Sequence, residues 1–412
     1  MAQPEGSMRE GELIALLSFA MALSALGIGL VLPAFGEMRP VLGLAEDSNR
    51  LARAITAYIL GLSGGTLVYG PLSDGFGRKP ALRVGFAVYA VGAAGSALAT
   101  AVGSIPLLMA TQSVWGAGAA GPRILALAIV RDLYEGDRMA RIMSSVFAVF
   151  TIVPILAPVG GAAMVSATSW QGVFWLAAGL AVGVAVWATR LGETRPAGPS
   201  DGWLAPHLGR SVLRVLRNRR TVLYTFAMTL SFGAFFSYMA SSELIFSDIF
   251  GRAHLFPWIF AGITALMSAA MVANALLVET LTTQRVVVAT LVVYLLAALG
   301  LTIGTQVGDG IPAFAFFLVV LSIIAAMHGL VVANLNSLAL DPMGDQAGTA
   351  GSVVGSMSTG GGALLGSVID RAYDGTVTSL SIGFLVAAAV ALTLCLMAGR
   401  VEEEAPDRPS AF

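Results

Sequence analysis

Gly70-Pro-Leu-Ser-Asp-Gly-Phe-Gly-Arg-Lys-Pro80 is a short polar interruption between two long apolar stretches. Proline and glycine break helices and permit a tight reversal, so the segment predicts a turn that starts near Pro71. Asp74 in such a turn can approach a neighbouring helix N-terminus, where a carboxylate meets unpaired N–H groups. Arg78 and Lys79 are expected to stay at the interface. The flanking stretches, 51–72 and 81–101, each have the ~20 residues a helix needs to cross a hydrocarbon core. The segment therefore reads as the loop of a membrane hairpin.

The same rhythm recurs along the chain. Further apolar stretches fall at 13–35, 106–130, 140–166 and 171–190, then at 221–246, 256–279, 285–305, 312–338, 347–369 and 377–399. Composition agrees: of 412 residues, 57% are hydrophobic and 11% charged, against about a quarter charged in soluble domains. The 48 glycines suit helices packed closely in lipid. The expected fold is all-α, with twelve transmembrane helices in two pseudo-symmetric six-helix bundles. Residues 1–190 form the first bundle, 191–220 a polar linker, 221–400 the second bundle and 401–412 a tail. The linker holds Glu193, Arg195, Asp201, His207 and Arg210, and its basic end, 209–220, reads as a short amphipathic helix. A faint repeat links Arg141-Ile-Met-Ser-Ser-Val-Phe-Ala148 to Gly348-Thr-Ala-Gly-Ser-Val-Val-Gly355 at about half the chain length.

Charge sets the orientation. Of the 23 basic residues, Arg39, Arg50, Arg53, Arg252 and Arg371 fall on one side and Arg123 lies inside a span; all the others fall on the side of the termini. By the positive-inside rule both termini face the cytoplasm, with the protein multi-pass in the cell membrane.

Several functions are excluded. A net charge of -1 offers no excess for nucleic acid. The single cysteine, Cys395, forms no disulfide framework, and three histidines without H-E-x-x-H support no metal site. No P-loop is present. Gly61-Leu-Ser-Gly-Gly65 and Gly116-Ala-Gly-Ala-Ala-Gly121 imitate enzyme motifs, yet each lies mid-span without the strand its chemistry requires. They read as small-residue packing faces, like Gly351-x-x-x-Gly355 and Gly362-x-x-x-Gly366. No catalytic residue and no cofactor are expected; the chain reads as a non-enzyme.

The pattern G-x-L-S-D-x-x-G-R-K at the loop between spans two and three resembles the major facilitator superfamily, in its twelve-span drug/proton antiporter branch of Bcr/CflA type. Ala128-Ile-Val-Arg-Asp-Leu133, Arg141-Ile-Met-Ser144, Pro154-Ile-Leu-Ala-Pro-Val-Gly-Gly161, Trp170-Gln-Gly-Val-Phe174, Glu193-Thr-Arg-Pro196 and Ala347-Gly-Thr-Ala-Gly351 carry the same resemblance. It implies a conformational gate of Gly70, Asp74, Gly77, Arg78 and Asp132, with Asp74 capping span eleven and Arg78 paired to Asp132. It also implies that Pro154, Pro158, Gly160 and Gly161 bend and pack span five. Two departures stand out. Ala25–Val31 lacks the acidic residue the family carries before Leu32-Pro33, and Gln112 stands where the family has an arginine.

Ionisable residues inside the bilayer are costly and mark function. Three are candidates for proton coupling or cavity charge: Glu243 in span seven, Arg123 in span four and His328 in span ten. Glu243 reads as a partly desolvated proton carrier or a helix-end carboxylate in water. Arg123 reads as a cavity charge or a snorkelling residue, and His328 as a proton contact or a packing residue. Gln112, Asn274, Asn334 and Asn336 are candidates for a substrate cavity or for interhelical hydrogen bonds, and the aromatic Tyr58, Phe235, Phe236 and Tyr238 are candidates for stacking a ligand there or for an interfacial belt. The function implied is proton-coupled export of a small amphipathic or hydrophobic compound by alternating access, by a monomer in a lipid bilayer. An importer or facilitator of a siderophore or metabolite, and a non-transporting receptor or scaffold, are the alternatives.

Overall fold

The computed structural model describes residues 8–195 and 205–403; within the expected linker and tail, 196–204 and 404–412 lie outside the described residues. The described residues are helical, with no strand among them. In chain order the α-helices are α1 (Glu10–Gly29), α2 (Phe35–Val41), α3 (Ala52–Phe76), α4 (Arg78–Ala101), α5 (Ile105–Leu133), α6 (Gly136–Ala167) and α7 (Trp170–Trp187). They continue with α8 (Ala205–Arg217), α9 (Arg219–Leu244), α10 (Phe256–Thr280), α11 (Thr283–Val307), α12 (Phe314–Leu340), α13 (Ala347–Arg371) and α14 (Thr378–Glu403). Twelve segments are long and apolar enough to cross a membrane, as the sequence predicts.

Two boundaries differ from the sequence reading. The first span does not stop at Phe35: a 3₁₀ turn at Leu32–Ala34 absorbs Pro33 and α2 carries the segment on to Val41. The loop between spans two and three is also far shorter than expected. Helix α3 continues through Pro71 to Phe76, and α4 begins at Arg78. A proline removes a single backbone hydrogen bond, which a long, otherwise intact helix tolerates. The reversal falls on Gly77 alone, at φ 101°, a left-handed conformation open to glycine. A Cβ there would lie 2.6 Å from Glu193 Oε2.

Glu193 occupies the N-terminus of α4. Its carboxylate accepts the backbone N–H groups of Arg78 at 2.8 Å and Lys79 at 3.1 Å, and those of Thr194 and Arg195 at 3.1 Å each. Partial burial would raise its pKa, but the four donors outweigh that and hold it below the ordinary glutamate value.

Contacts group the described parts of Met1–Leu204 and Met239–Ala265 into one compact unit, and those of Ala205–Tyr238 and Leu266–Phe412 into another. In the first, glycine lets α3 and α5 meet backbone to backbone. A Cβ on Gly61 would strike the Ser113 carbonyl, and one on Gly116 the Tyr58 carbonyl. Both belong to the enzyme-like motifs of the sequence, so those glycines serve packing. Beside them the fully buried Trp115 meets Tyr58 and Tyr89 edge-on at 5.6 Å and Phe174 at 5.9 Å. Gly161 brings α6 against the backbone of Leu30, whereas a Cβ on Gly160 would reach only Leu30 Cδ2, at 3.9 Å. Pro154 and Pro158 lie within an unbroken α6.

In the second unit, Gly362 and Gly366 press against α9 at Phe232 and Gly233. Gly351 and Gly355 pack more loosely: a Cβ at 351 would meet Leu340 at 3.5 Å, and one at 355 would meet nothing within 4 Å among the described residues. Tyr224 donates to Gln284 Oε1 at 2.6 Å, and Gln284 Nε2 donates to the Cys395 carbonyl at 3.1 Å, tying α9, α11 and α14 together.

The glycine contacts make one prediction. Gly116→Val forces α3 and α5 apart and is expected to lower stability by about 1–3 kcal/mol or more, whereas Gly64→Ala, where a Cβ meets nothing, leaves the melting temperature unchanged. Thermal denaturation in detergent checks both. The Glu193 cap makes another. A carboxylate held below its ordinary pKa stabilises the fold above that value and loses the effect as pH falls through the shifted one. Glu193→Gln is therefore expected to lower the melting temperature at pH 7, and the difference from the native chain is expected to shrink as the pH falls below the ordinary glutamate value. Equal melting temperatures at pH 7 would contradict the assignment.

Candidate functional site

At the α3–α4 turn, Arg78 uses every arm of its guanidinium. Its Nε donates to Asp132 Oδ2 at 2.8 Å, its Nη2 to Asp132 Oδ1 at 3.4 Å, and its Nη1 to Ser73 Oγ at 2.6 Å and Asp74 Oδ1 at 2.5 Å. Arg78 and Asp132 are partly buried while Asp74 stays largely in solvent. The Asp74 and Gly75 carbonyls accept from Arg195 Nη1 at 2.9 and 2.8 Å. Gly70 accepts Ser73 Oγ at 2.7 Å, and nothing crowds its α-carbon. The expected cap of span eleven by Asp74 concerns the side chains of 345–349, which lie outside the described residues. The helix N-terminus that does receive a carboxylate is that of α4, from Glu193.

Gln112 and Arg123 lie eleven residues apart on α5, close to three full turns, and so share a face. Gln112 is completely buried, and neither of its amide atoms has a hydrogen-bond partner among the described residues, a condition that costs about 1–3 kcal/mol. Arg123 is exposed and forms no ion pair among the described residues. Tyr58, expected in a cavity, is instead fully buried, and its hydroxyl donates to the Ser24 carbonyl at 2.9 Å. With Tyr89, which donates to the Leu23 carbonyl at 2.9 Å, it pins α1 to the bundle.

The candidates of the second unit mostly satisfy one another. His328 is buried with Nδ1 2.8 Å from Ser231 Oγ, its ring stacked on Phe235 at 4.2 Å and 11° and edge-on to Phe232 at 5.6 Å. No carboxylate joins it among the described residues, and its ring packs α12 on α9. Asn274 and Asn334 exchange amide hydrogen bonds at 3.1 and 2.7 Å, clamping α10 to α12. Of the two readings of these amides, this arrangement is the interhelical hydrogen bond. Asn336 is exposed. Phe236 stacks on Phe232 at 5.1 Å, Phe235 meets Tyr238 at 5.8 Å, and Tyr238 is buried.

Glu243 is neither a lone proton carrier nor a carboxylate in water. It ends α9 beside α2, where Arg39 Nη2 donates to its Oε2 at 2.5 Å and Arg39 Nη1 to its Oε1 at 3.4 Å. The two side chains are 5% and 9% exposed, so the charges are compensated out of solvent. Arg39 Nε also donates to the Ser48 carbonyl at 3.2 Å, Ser247 Oγ lies 3.2 Å from Glu243 Oε1, and Asn49 Nδ2 donates to Ser241 Oγ at 3.0 Å. A cavity of about 350 Å³ opens alongside, lined in part by Glu37, Glu243, Ser247 and His254. Sequence reasoning counts Arg39 as a loop cation because it ends the span at Phe35. The signal that locates it is the helical continuation Phe35-Gly-Glu-Met-Arg-Pro-Val41.

The sequence profile of the Major Facilitator Superfamily matches residues 17–367. The bicyclomycin resistance protein homolog of Haemophilus influenzae is 25% identical over 356 residues, covering 86% of this chain and 87% of its own. The multidrug resistance protein MdtL of Klebsiella pneumoniae is 28% identical over 388 residues, covering 93% and 94%. Among solved structures, the human organic anion transporter MFSD10 aligns with a TM-score of 0.69 at 17% identity, covering 96% of this chain and 100% of that one. A point mutant of the nucleoside transporter NupG aligns at 0.68 and 16%, covering 94% and 99%. Twelve membrane-length helices, the charged turn at Gly77 and a profile match over most of the chain lead to one assignment: the chain belongs to the Major Facilitator Superfamily of transporters.

Proposed function

We propose that this transporter exports a small amphipathic or hydrophobic compound, neutral or anionic, in exchange for protons. The observation that carries the reading is the buried Arg39–Glu243 pair, which joins residues 204 positions apart inside membrane-length segments. A proton reaching Glu243 neutralises the charge that holds Arg39 and releases α2 from the end of α9. Glu37 on α2, Glu46 and Asp47 on the following turn, and Asp248 and His254 beyond α9 are the other titratable groups around it. Arg78–Asp132 is the corresponding latch at the α3–α4 turn, with Asp74, Gly70 and Gly77 shaping that turn.

In this reading, halves 1–190 and 221–400 rock about the linker 191–220 in a monomer. The arginine-rich ends, including both termini, face the cytoplasm. The Arg39–Glu243 latch then closes the opposite side, where protons arrive. Each proton entering through a 100 mV potential supplies ~2.3 kcal/mol. Arg123 lies roughly 15 Å from the end of α5 by helix rise, too deep to snorkel, which supports a charge facing an aqueous cavity. The names of the bicyclomycin and multidrug resistance relatives support export. The missing span-one carboxylate and the neutral Gln112 favour one rival, a facilitator that carries a metabolite without proton coupling.

A compound found by thermal-shift binding among neutral and anionic antibiotics and metabolites supplies the transport probe, with bicyclomycin tested first. In proteoliposomes its accumulation is expected to follow an imposed pH gradient. Glu243→Gln abolishes that dependence, while counterflow without a gradient persists. Gradient-driven accumulation that survives Glu243→Gln unchanged removes the coupling role. Removing one member of a buried pair strands the other, at about 3–5 kcal/mol. Arg39→Ala is therefore expected to destabilise strongly, and the exchange R39E/E243R to recover most of the loss in thermal denaturation.

A further inference from the structure

The second unit contains a groove that no part of the transport reading uses. It lies between the start of α11 and the end of α14, with a volume of about 780 Å³. Arg285 and Arg400 stand on its rim with Thr282, while Val288, Ala289 and Leu396 line its floor. Both guanidiniums are exposed, and neither forms an ion pair among the described residues. Gln284, also in the lining, is already engaged by Tyr224 and the Cys395 carbonyl. Gly399 keeps the groove open, since a Cβ there would meet Gln284 Nε2 at 3.0 Å. Among the described lining residues, the rim thus carries two positive charges and no negative one.

Below the rim the same two helices present exposed apolar side chains, Val292, Val293 and Leu296 on α11 and Val386 and Val390 on α14. A membrane-length helix pair with such a surface faces acyl chains. The groove floor is continuous with that surface in composition, and its cations lie at the helix ends, where bilayer headgroups sit. A free anion would satisfy the arginines and leave the floor bare. A phospholipid satisfies both.

We propose that this groove binds an anionic phospholipid of the surrounding bilayer. Its phosphate lies between Arg285 and Arg400, where charge-assisted hydrogen bonds to guanidinium are strong, and the Thr282 hydroxyl donates to a phosphate oxygen. One acyl chain runs over Val288, Ala289 and Leu396. Basic pockets at the ends of transmembrane helices recognise headgroups in this way.

The test uses the full chain, purified and delipidated in detergent, with dioleoylphosphatidylglycerol, dioleoylphosphatidylcholine and sodium phosphate as probes. Native mass spectrometry and thermal denaturation supply the readouts. Phosphatidylglycerol is expected to be retained and to raise the melting temperature, whereas phosphatidylcholine and phosphate are not. R285Q/R400Q is expected to weaken phosphatidylglycerol retention by about tenfold or more, as the loss of two headgroup cations implies. Ala289→Trp, which fills the floor and leaves the arginines intact, is expected to weaken it as well, and serves alone if the double variant is unstable without lipid. Retention of phosphatidylglycerol unchanged in both variants overturns the proposal. So does equal retention of phosphatidylcholine, or stabilisation by phosphate alone to the same extent, which marks a free-anion site.

Discussion

A charge inside a hydrocarbon layer must be paired, hydrated or carried to the rim, and the charged residues of this chain follow that constraint. Arg78 is paired by Asp132 and Asp74. Arg39 is paired by Glu243, with both side chains nearly out of solvent. Most of the arginines gather toward the helix ends on the side of the termini. Arg123 alone stands deep in a span without a carboxylate among the described residues, and its exposure identifies open space beside it. Pairing of this kind is conditional, because a buried ion pair holds only while both partners are charged. A latch built from such pairs responds to a proton in a way that an apolar contact does not.

The packing around these pairs relies on small residues and on polar groups that satisfy one another. Gly61 and Gly116 bring the backbones of α3 and α5 into contact. Tyr58 and Tyr89 hold α1 by its carbonyls, and the Asn274–Asn334 exchange holds α10 to α12. In a bilayer the hydrophobic effect does not drive helices together, so close approach and interhelical hydrogen bonds take its place. The same physics explains why several residues that look like cavity lining are structural. The side chains of Tyr58, Tyr89, Asn274 and Asn334 find partners in the next helix, whereas the Gln112 amide finds none among the described residues.

The helical fold and the number of spans are legible because apolar runs of membrane length are a strong signal, and the charged turn at Gly77 stands out against them. The partners of individual side chains are less legible. Pro33 and Pro71 look like helix ends in a linear reading, yet a long helix accommodates one missing hydrogen bond. Arg39 therefore reads as a loop cation and Asp74 as part of an extended turn. Glu243 stands out because a carboxylate in a span is rare, but its partner lies 204 residues away and leaves no local trace. His328 and Asn334 stand out by residue type alone, which carries no information on what they face. Glu193 reads only as part of a family-like segment, although it supplies the carboxylate at the start of α4.

The claim on which the account rests is that a proton on Glu243 releases Arg39 and frees α2 from the end of α9. Double electron–electron resonance between spin labels at Val41 and Ala253, in a Cys395→Ser background, measures this directly. The account predicts a single short distance in the native chain and a longer-distance population in Glu243→Gln, where no carboxylate charge holds Arg39. Distances that ignore the substitution would contradict it.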